Sequence, residues 1–117
     1  MTMESDLTVL LKALCANAFP DFAPSGTVAP YIVYQAIGGQ PMQYVDGTAA
    51  DKRSTLVQVE VWAGTRAAAL VLARQADAAL IASSAFMAQP EGEPAWDSDP
   101  DGPLYGCTQD FRIISTR

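Results

Sequence analysis

The sequence predicts an α+β fold: two helices packed on a mainly antiparallel sheet, in the order α-β-β-α-β-β. Three observations carry this. A leucine stripe near the N-terminus repeats at the helical period. Residues Ser54 to Trp62 alternate at the strand period of two. Between that strand and two later strand-like segments lies a run of alanines. The length of 117 residues suits one domain, 1–117, with a single core. No internal repeat or linker divides it.

The first helix is expected from Ser5 to Asn17. Leu7, Leu10, Leu11 and Leu14 fall on one face, Ser5 can cap the free N–H groups, and Glu4 and Asp6 sit at the positive end of the helix dipole. Pro20 ends it. Asp21 to Pro30, with Pro24, Gly26 and Pro30, reads as a loop. Tyr31 to Ile37 is rich in β-branched and aromatic residues on both faces, which predicts a central strand, ended by Gly38-Gly39. Gln40 to Arg53 is then a long connection, of a length that is often functional, and part of it suits an extended arm or hairpin tip. In the strand Ser54 to Trp62, Thr55, Val57, Val59 and Val61 share an apolar face; Leu56, Gln58, Glu60 and Trp62 share a mixed one.

Ala63-Gly64 makes a turn, and Thr65 caps a second helix that runs to about Ser83. Ala69, Leu72, Ala73, Ala76 and Leu80 form a flat stripe that would lie close on a sheet, with Arg66, Arg74 and Asp77 facing out. Phe86 to Gln89 suits a short strand. Pro90 to Pro103 is a proline-rich loop carrying Glu91, Glu93, Asp97, Asp99 and Asp101, with Trp96 inside it. Leu104 to Ser115 is the last strand, with Tyr105, Cys107, Gln109, Phe111 and Ile113 on one face.

Composition narrows the function. Seven Lys and Arg stand against 13 Asp and Glu, giving a net charge of -6, and 50% of residues are hydrophobic. A disordered chain is excluded, and a dedicated nucleic-acid binder is disfavoured, because phosphate contacts need basic side chains. The absence of His removes imidazole acid–base chemistry and His-ligated metal sites. A charged fraction of only 17% has two readings: burial of outer surface by homo-oligomerisation, or simply a chain with 20 alanines. Two cysteines, Cys15 and Cys107, form no CxxC pair and suit buried thiols in a reducing compartment. The start, MTMESDL, lacks the features of a signal peptide, and no apolar run suits a membrane span.

Few motifs carry chemistry. Asp97 to Gly102 matches the first half of a calcium loop, but the twelfth position is Thr108 where a bidentate Glu is needed, and a strand follows where a helix should. An acidic turn is the simpler reading. Gly38-Gly39 lacks the spacing of a phosphate loop. Neither cysteine has a base to activate it. Glu60 has no carboxylate partner nearby in sequence. No catalytic, cofactor or metal residue is expected. Tyr44, Trp62 and Trp96 are more suggestive, because aromatics are enriched at interface centres; alternatively each folds back on its own core.

Several segments together resemble a known family. They are Pro30-Tyr31-Ile32-Val33-Tyr34-Gln35 with Gly38-Gly39, then Asp46-Gly47, then Val57 to Trp62. Thr65-Arg66-Ala67-Ala68-Ala69, Asp110-Phe111 and the helix Glu4 to Leu14 complete the pattern. In order and spacing they are similar to the tail completion, or lambda-type tail terminator, proteins of long-tailed phages. The resemblance spans roughly Glu4 to Ile114. It implies a non-enzymatic α+β protein without a cofactor, belonging to the virion of a phage or prophage and assembled in the bacterial cytoplasm. It implies a ring, typically a hexamer, on the head-proximal end of the tail tube. That ring would stop tube polymerisation and meet the head–tail connector or neck proteins. DNA would pass through without specific binding, and no membrane is involved. Tyr44, Val45, Asp46, Trp62 and Trp96 are the candidates for contacts between subunits or with the tube. Two rival readings are another head–tail joining protein, or a small dimeric ligand-binding or enzymatic domain using the Glu60–Trp62 face and the acidic loop.

Overall fold

The computed structural model describes residues 2–43, 49–98 and 102–116; within the strands, the side chains of 40–43 and 49–51 are outside the description. Helix α1 spans Met3–Leu14 and α2 spans Arg66–Ala82. The strands are β1 (Ala18–Pro20), β2 (Tyr31–Gln43), β3 (Ala49–Ala63), β4 (Met87–Pro90), β5 (Ala95–Ser98) and β6 (Tyr105–Thr116). The expected order α-β-β-α-β-β is present, with two short strands, β1 and β5, added to it. The sheet order is β1-β2-β3-β6-β4, with β5 also on β6. Among the described residues only the β1–β2 pair is parallel.

Helix α1 begins earlier than Ser5. Thr2 is the N-cap, and Ser5 is its reciprocal partner: the Ser5 N–H donates to Thr2 Oγ1 and the Thr2 N–H donates to Ser5 Oγ, both at 3.1 Å. The helix also ends earlier than Asn17, at Leu14, because Cys15 is already extended and the chain goes on to pair Ala18–Pro20 with β2. Met3, Leu7 and Leu11 are buried, while Leu10 and Leu14 pack at the margin of the core. A 2.6 Å bond between Thr8 Oγ1 and the buried Tyr34 hydroxyl ties α1 to β2.

Strand β2 does not stop at Gly38-Gly39. A bulge between Ala36 and Gly39 lets the ladder resume at Gly39–Thr55 and continue to Gln43–Ala49. Gly39 makes this possible: its φ is 140°, and a Cβ there would lie 2.3 Å from the Ser54 carbonyl oxygen. Most of the expected connection Gln40 to Arg53 is therefore strand, a hairpin arm. Nor is β2 central. Its outer neighbour β1 covers only Ile32–Tyr34, and the interior positions belong to β3 and β6. The apolar character of its second face reflects Val33, which is buried on the helix-free side.

Helix α2 follows the sequence closely. Thr65 Oγ1 accepts the Ala68 N–H at 3.1 Å, and Ala69, Leu72, Ala73, Ala76 and Leu80 are all buried. Small side chains let its axis lie close on β3 and β6. Both helices cover one face of the sheet. There Ile32, Tyr34, Val57, Val59, Val61, Cys107, Phe111 and Ile113 form one core with them. Phe86 plugs this core just before β4. Cys15 is half-buried and Cys107 buried, both as free thiols. The segment Pro90 to Pro103, expected as loop, contains β5, which pairs Ala95–Ser98 with Tyr105–Thr108.

Candidate functional site

The candidate residues fall in three separate places. Tyr44, Val45 and Asp46 lie outside the described residues, between the two strands of the hairpin arm. Trp62 lies at the far end of β3. Its register partner is Gly106, where a Cβ would meet the indole ring at 2.9 Å, so the ring rests flat on its own sheet. The Trp62 N–H donates to Glu60 Oε1 at 3.1 Å. Trp62 is thus folded back and half-buried rather than presented outward.

Trp96 behaves in the opposite way. It sits on β5 beside Cys107, on the helix-bearing side, with 67% of its surface exposed. Arg66, the first residue of α2, lies 4.7 Å from its ring centre and 5.3 Å from that of Tyr105. The guanidinium donates to the Gly106 carbonyl through Nη1 and to the Asp97 carbonyl through Nη2, each at 2.6 Å. Arg66 does not face out to solvent, as the helical wheel suggests. It clamps β5 onto β6 and backs two aromatic rings. A signal for this exists in the sequence: an Arg in the first turn of a helix opposes the helix dipole, and α2 has no acid there to offset it. Arg, Trp and Tyr are also the residue types that dominate interface hot spots. The clamp therefore offers a rigid, exposed aromatic patch.

The helix-free face is mixed, with Val33, Leu56 and Trp62 beside polar and charged side chains. Gln35 Nε2 donates to Gln58 Oε1 at 3.0 Å. Arg112 donates to Glu91 Oε1 at 2.7 Å and to Ser54 Oγ at 3.2 Å. Glu60, Glu91, Glu93 and Asp110 make this side acidic. A shallow hollow of about 190 Å³ lies between Gln58, Glu91, Glu93, Thr108 and Asp110. Asp97 and Ser98, the start of the calcium-like stretch, belong to strand β5; Asp99 to Asp101 lie outside the described residues. Among the described residues no cluster of three metal-type ligands occurs. None of their helices is long and apolar enough to cross a membrane.

A larger hollow of about 510 Å³ opens under the start of α1, bounded by Thr2, Leu7, Tyr34, Ala36 and Val57. Near it Arg53, on the arm, pairs with Glu4 of α1. The hydrogen bond from Arg53 holds the Glu4 carboxyl below its ordinary value of 4.5, helped by a backbone N–H and opposed by partial burial.

Comparison with known proteins gives one family. The family described as Tail completion protein gp17 matches residues 3–116, nearly the whole chain. No curated protein matches.

Proposed function

The chain belongs to the tail completion protein gp17 family, and from that premise we propose that it is a tail terminator. In this reading it caps the head-proximal end of the phage tail tube as a ring, ends tube polymerisation and gives the head a surface to join. The match over residues 3–116 is the observation that carries the proposal. The chain acts as one tail-terminator-like domain, in a ring of six copies, between the tube protein and the neck proteins. It performs no catalysis. Its place is the virion tail, after assembly in the host cytoplasm.

Physical features agree with this role. A net charge of -6 and the acidic helix-free face repel DNA, so a channel lined by such a surface lets the genome pass without sticking. Tyr44, Val45 and Asp46 stand in the sequence between β2 and β3, and in this reading they meet a neighbouring subunit or the tube. Trp96, backed by Arg66, supplies a second contact patch. Trp62 acts behind the surface, holding the end of the sheet.

Binding to purified tail tubes and to filled heads tests the role. A terminator binds tube ends without heads present. Binding to filled heads alone would make the chain a different neck protein.

A further inference from the structure

Two open strand edges lie on opposite sides of this sheet, and they match. On β2, strand β1 covers only Ile32–Tyr34; beyond it Ala36 to Gly39 are exposed. On β6, β4 forms the outermost strand at the same height: Gln40, Ser54, Ile114 and Met87 share one row across the sheet, and Ala36, Val57, Phe111 and Pro90 share another. Three successive antiparallel pairings make β4 antiparallel to β2. A copy rotated about an axis along the strands would therefore bring its β2 beside β4 in antiparallel sense.

The backbone hydrogen bonds choose the register. The Ile32 N–H donates outward to Asn17 and the Tyr34 carbonyl accepts outward from Asp21, so by alternation Ala36 also presents its N–H and C=O outward. On β4, the Glu91 N–H donates to the Asp110 carbonyl, which makes Pro90–Phe111 and Ala88–Ile113 the non-bonded pairs; their free groups point away from β6. Pro90 has no N–H, so on β4 only Ala88 offers both an outward donor and an outward acceptor. Setting Ala36 opposite Ala88 of the next copy satisfies both. It also places Tyr34, whose carbonyl is already taken, opposite Pro90, which has no donor to give. Ile37 then lies against Met87, exposed apolar side chains at 42% and 68% on their separate edges.

Resting on the ring reading above, we propose that neighbouring copies join by strand addition, β2 of one pairing with β4 of the next around Ala36 and Ala88. The two-residue offset between this register and the rows of a flat sheet is the stagger that a curved, closing wall of strands requires. Because the two edges differ, the contact is head-to-tail and repeats until it closes.

A double variant, Ile37→Cys with Met87→Cys, tests this. Non-bonded antiparallel pairs bring side chains within about 5 Å, the range a disulfide spans. Mild oxidation of tube-assembled protein yields a covalent ladder of oligomers; each single variant stays monomeric. Rings or caps that form without a ladder would overturn the strand pairing and leave the terminator reading intact. Failure of the unaltered chain to form rings, even with tubes, would sink both. A second variant, Ala88→Pro, removes only the outward N–H, which β6 does not use. It should keep the Tm of the parent within a few degrees and weaken assembly roughly tenfold or more. Undiminished assembly by Ala88→Pro would contradict the pairing.

Discussion

Arg66 shows how much one side chain can hold. Its two hydrogen bonds from a charged group, with two aromatic rings beside it, fasten β5 to the body of the sheet. Arg66→Ala should cost about 2 kcal/mol and lower the Tm by several degrees. Arg66→Lys should not restore it, because an ammonium cannot fork to two carbonyls while stacking. Faster hydrogen exchange at Ala95–Ser98 would accompany the loss; unchanged exchange there would refute the clamp. The Glu4–Arg53 pair is weaker, because Glu4 is 57% exposed, so it contributes less than about 1 kcal/mol. The Glu4 carboxyl is held below 4.5 in the folded chain, so the pair stabilises at neutral pH. That contribution fades as the pH falls from 4.5 through the lowered folded value. The Tm gap between the parent and Glu4→Gln should therefore be open at pH 7 and close in acid. A gap that widens in acid would contradict the assignment. Thr65 and the alanine stripe were legible in the sequence, because capping and helical period are local. For Arg66 the sequence holds only the misplaced charge at the helix start, not its partners, which lie 31 and 40 residues away.

At the scale of elements, the bulge at Gly38-Gly39 decides the length of the arm. Gly39→Ala would force a Cβ against the Ser54 carbonyl at a φ of 140° and should destabilise by more than about 2 kcal/mol. Gly38→Ala meets no neighbouring atom and should cost only about 1 kcal/mol of backbone strain at its φ of 121°. Chemical denaturation of the two variants checks the ranking; equal costs would mean the close approach at Gly39 relaxes easily. Two glycines read as a stop when only local chemistry is considered. Tertiary pairing overrides them, because the bulge needs residues that accept positive φ. Strands β1 and β5 leave no local signal in the sequence for a related reason. Each is only three or four residues long and exists because a longer strand offers it an edge. The long strands β3 and β6 and helix α2 carry their own periodicity and were visible without partners.

The whole molecule is long, 53 Å by 25 Å by 24 Å, with a radius of gyration of 15.1 Å where a compact chain of this size has about 13–14 Å. Strand β3, 15 residues at about 3.3 Å each, spans nearly the whole of the long dimension. Among the described side chains Thr55 is the last buried one of β3 toward the arm, and Lys52 to Ser54 beyond it are exposed or half-buried. An arm of that kind spends backbone order without gaining core, which is consistent with a partner that repays it in the assembly. Tyr44→Ala with Asp46→Ala should leave the monomer Tm nearly unchanged and reduce tube capping severalfold; full capping by that variant would remove the tip from the interface. The fold class was legible from three periodic segments. The candidate site was less so, because Trp62 and Trp96 look alike in sequence, yet one is packed on Gly106 and the other stands exposed over Arg66. A tail terminator is a closed ring that caps a tube. Light scattering across a concentration series, alone and with purified tail tubes, together with negative-stain images of the same samples, tests it most directly. Rings of about six copies are expected, free in solution or seated at one end of each tube. A chain that stays monomeric or dimeric at every concentration and leaves tube ends bare would contradict it.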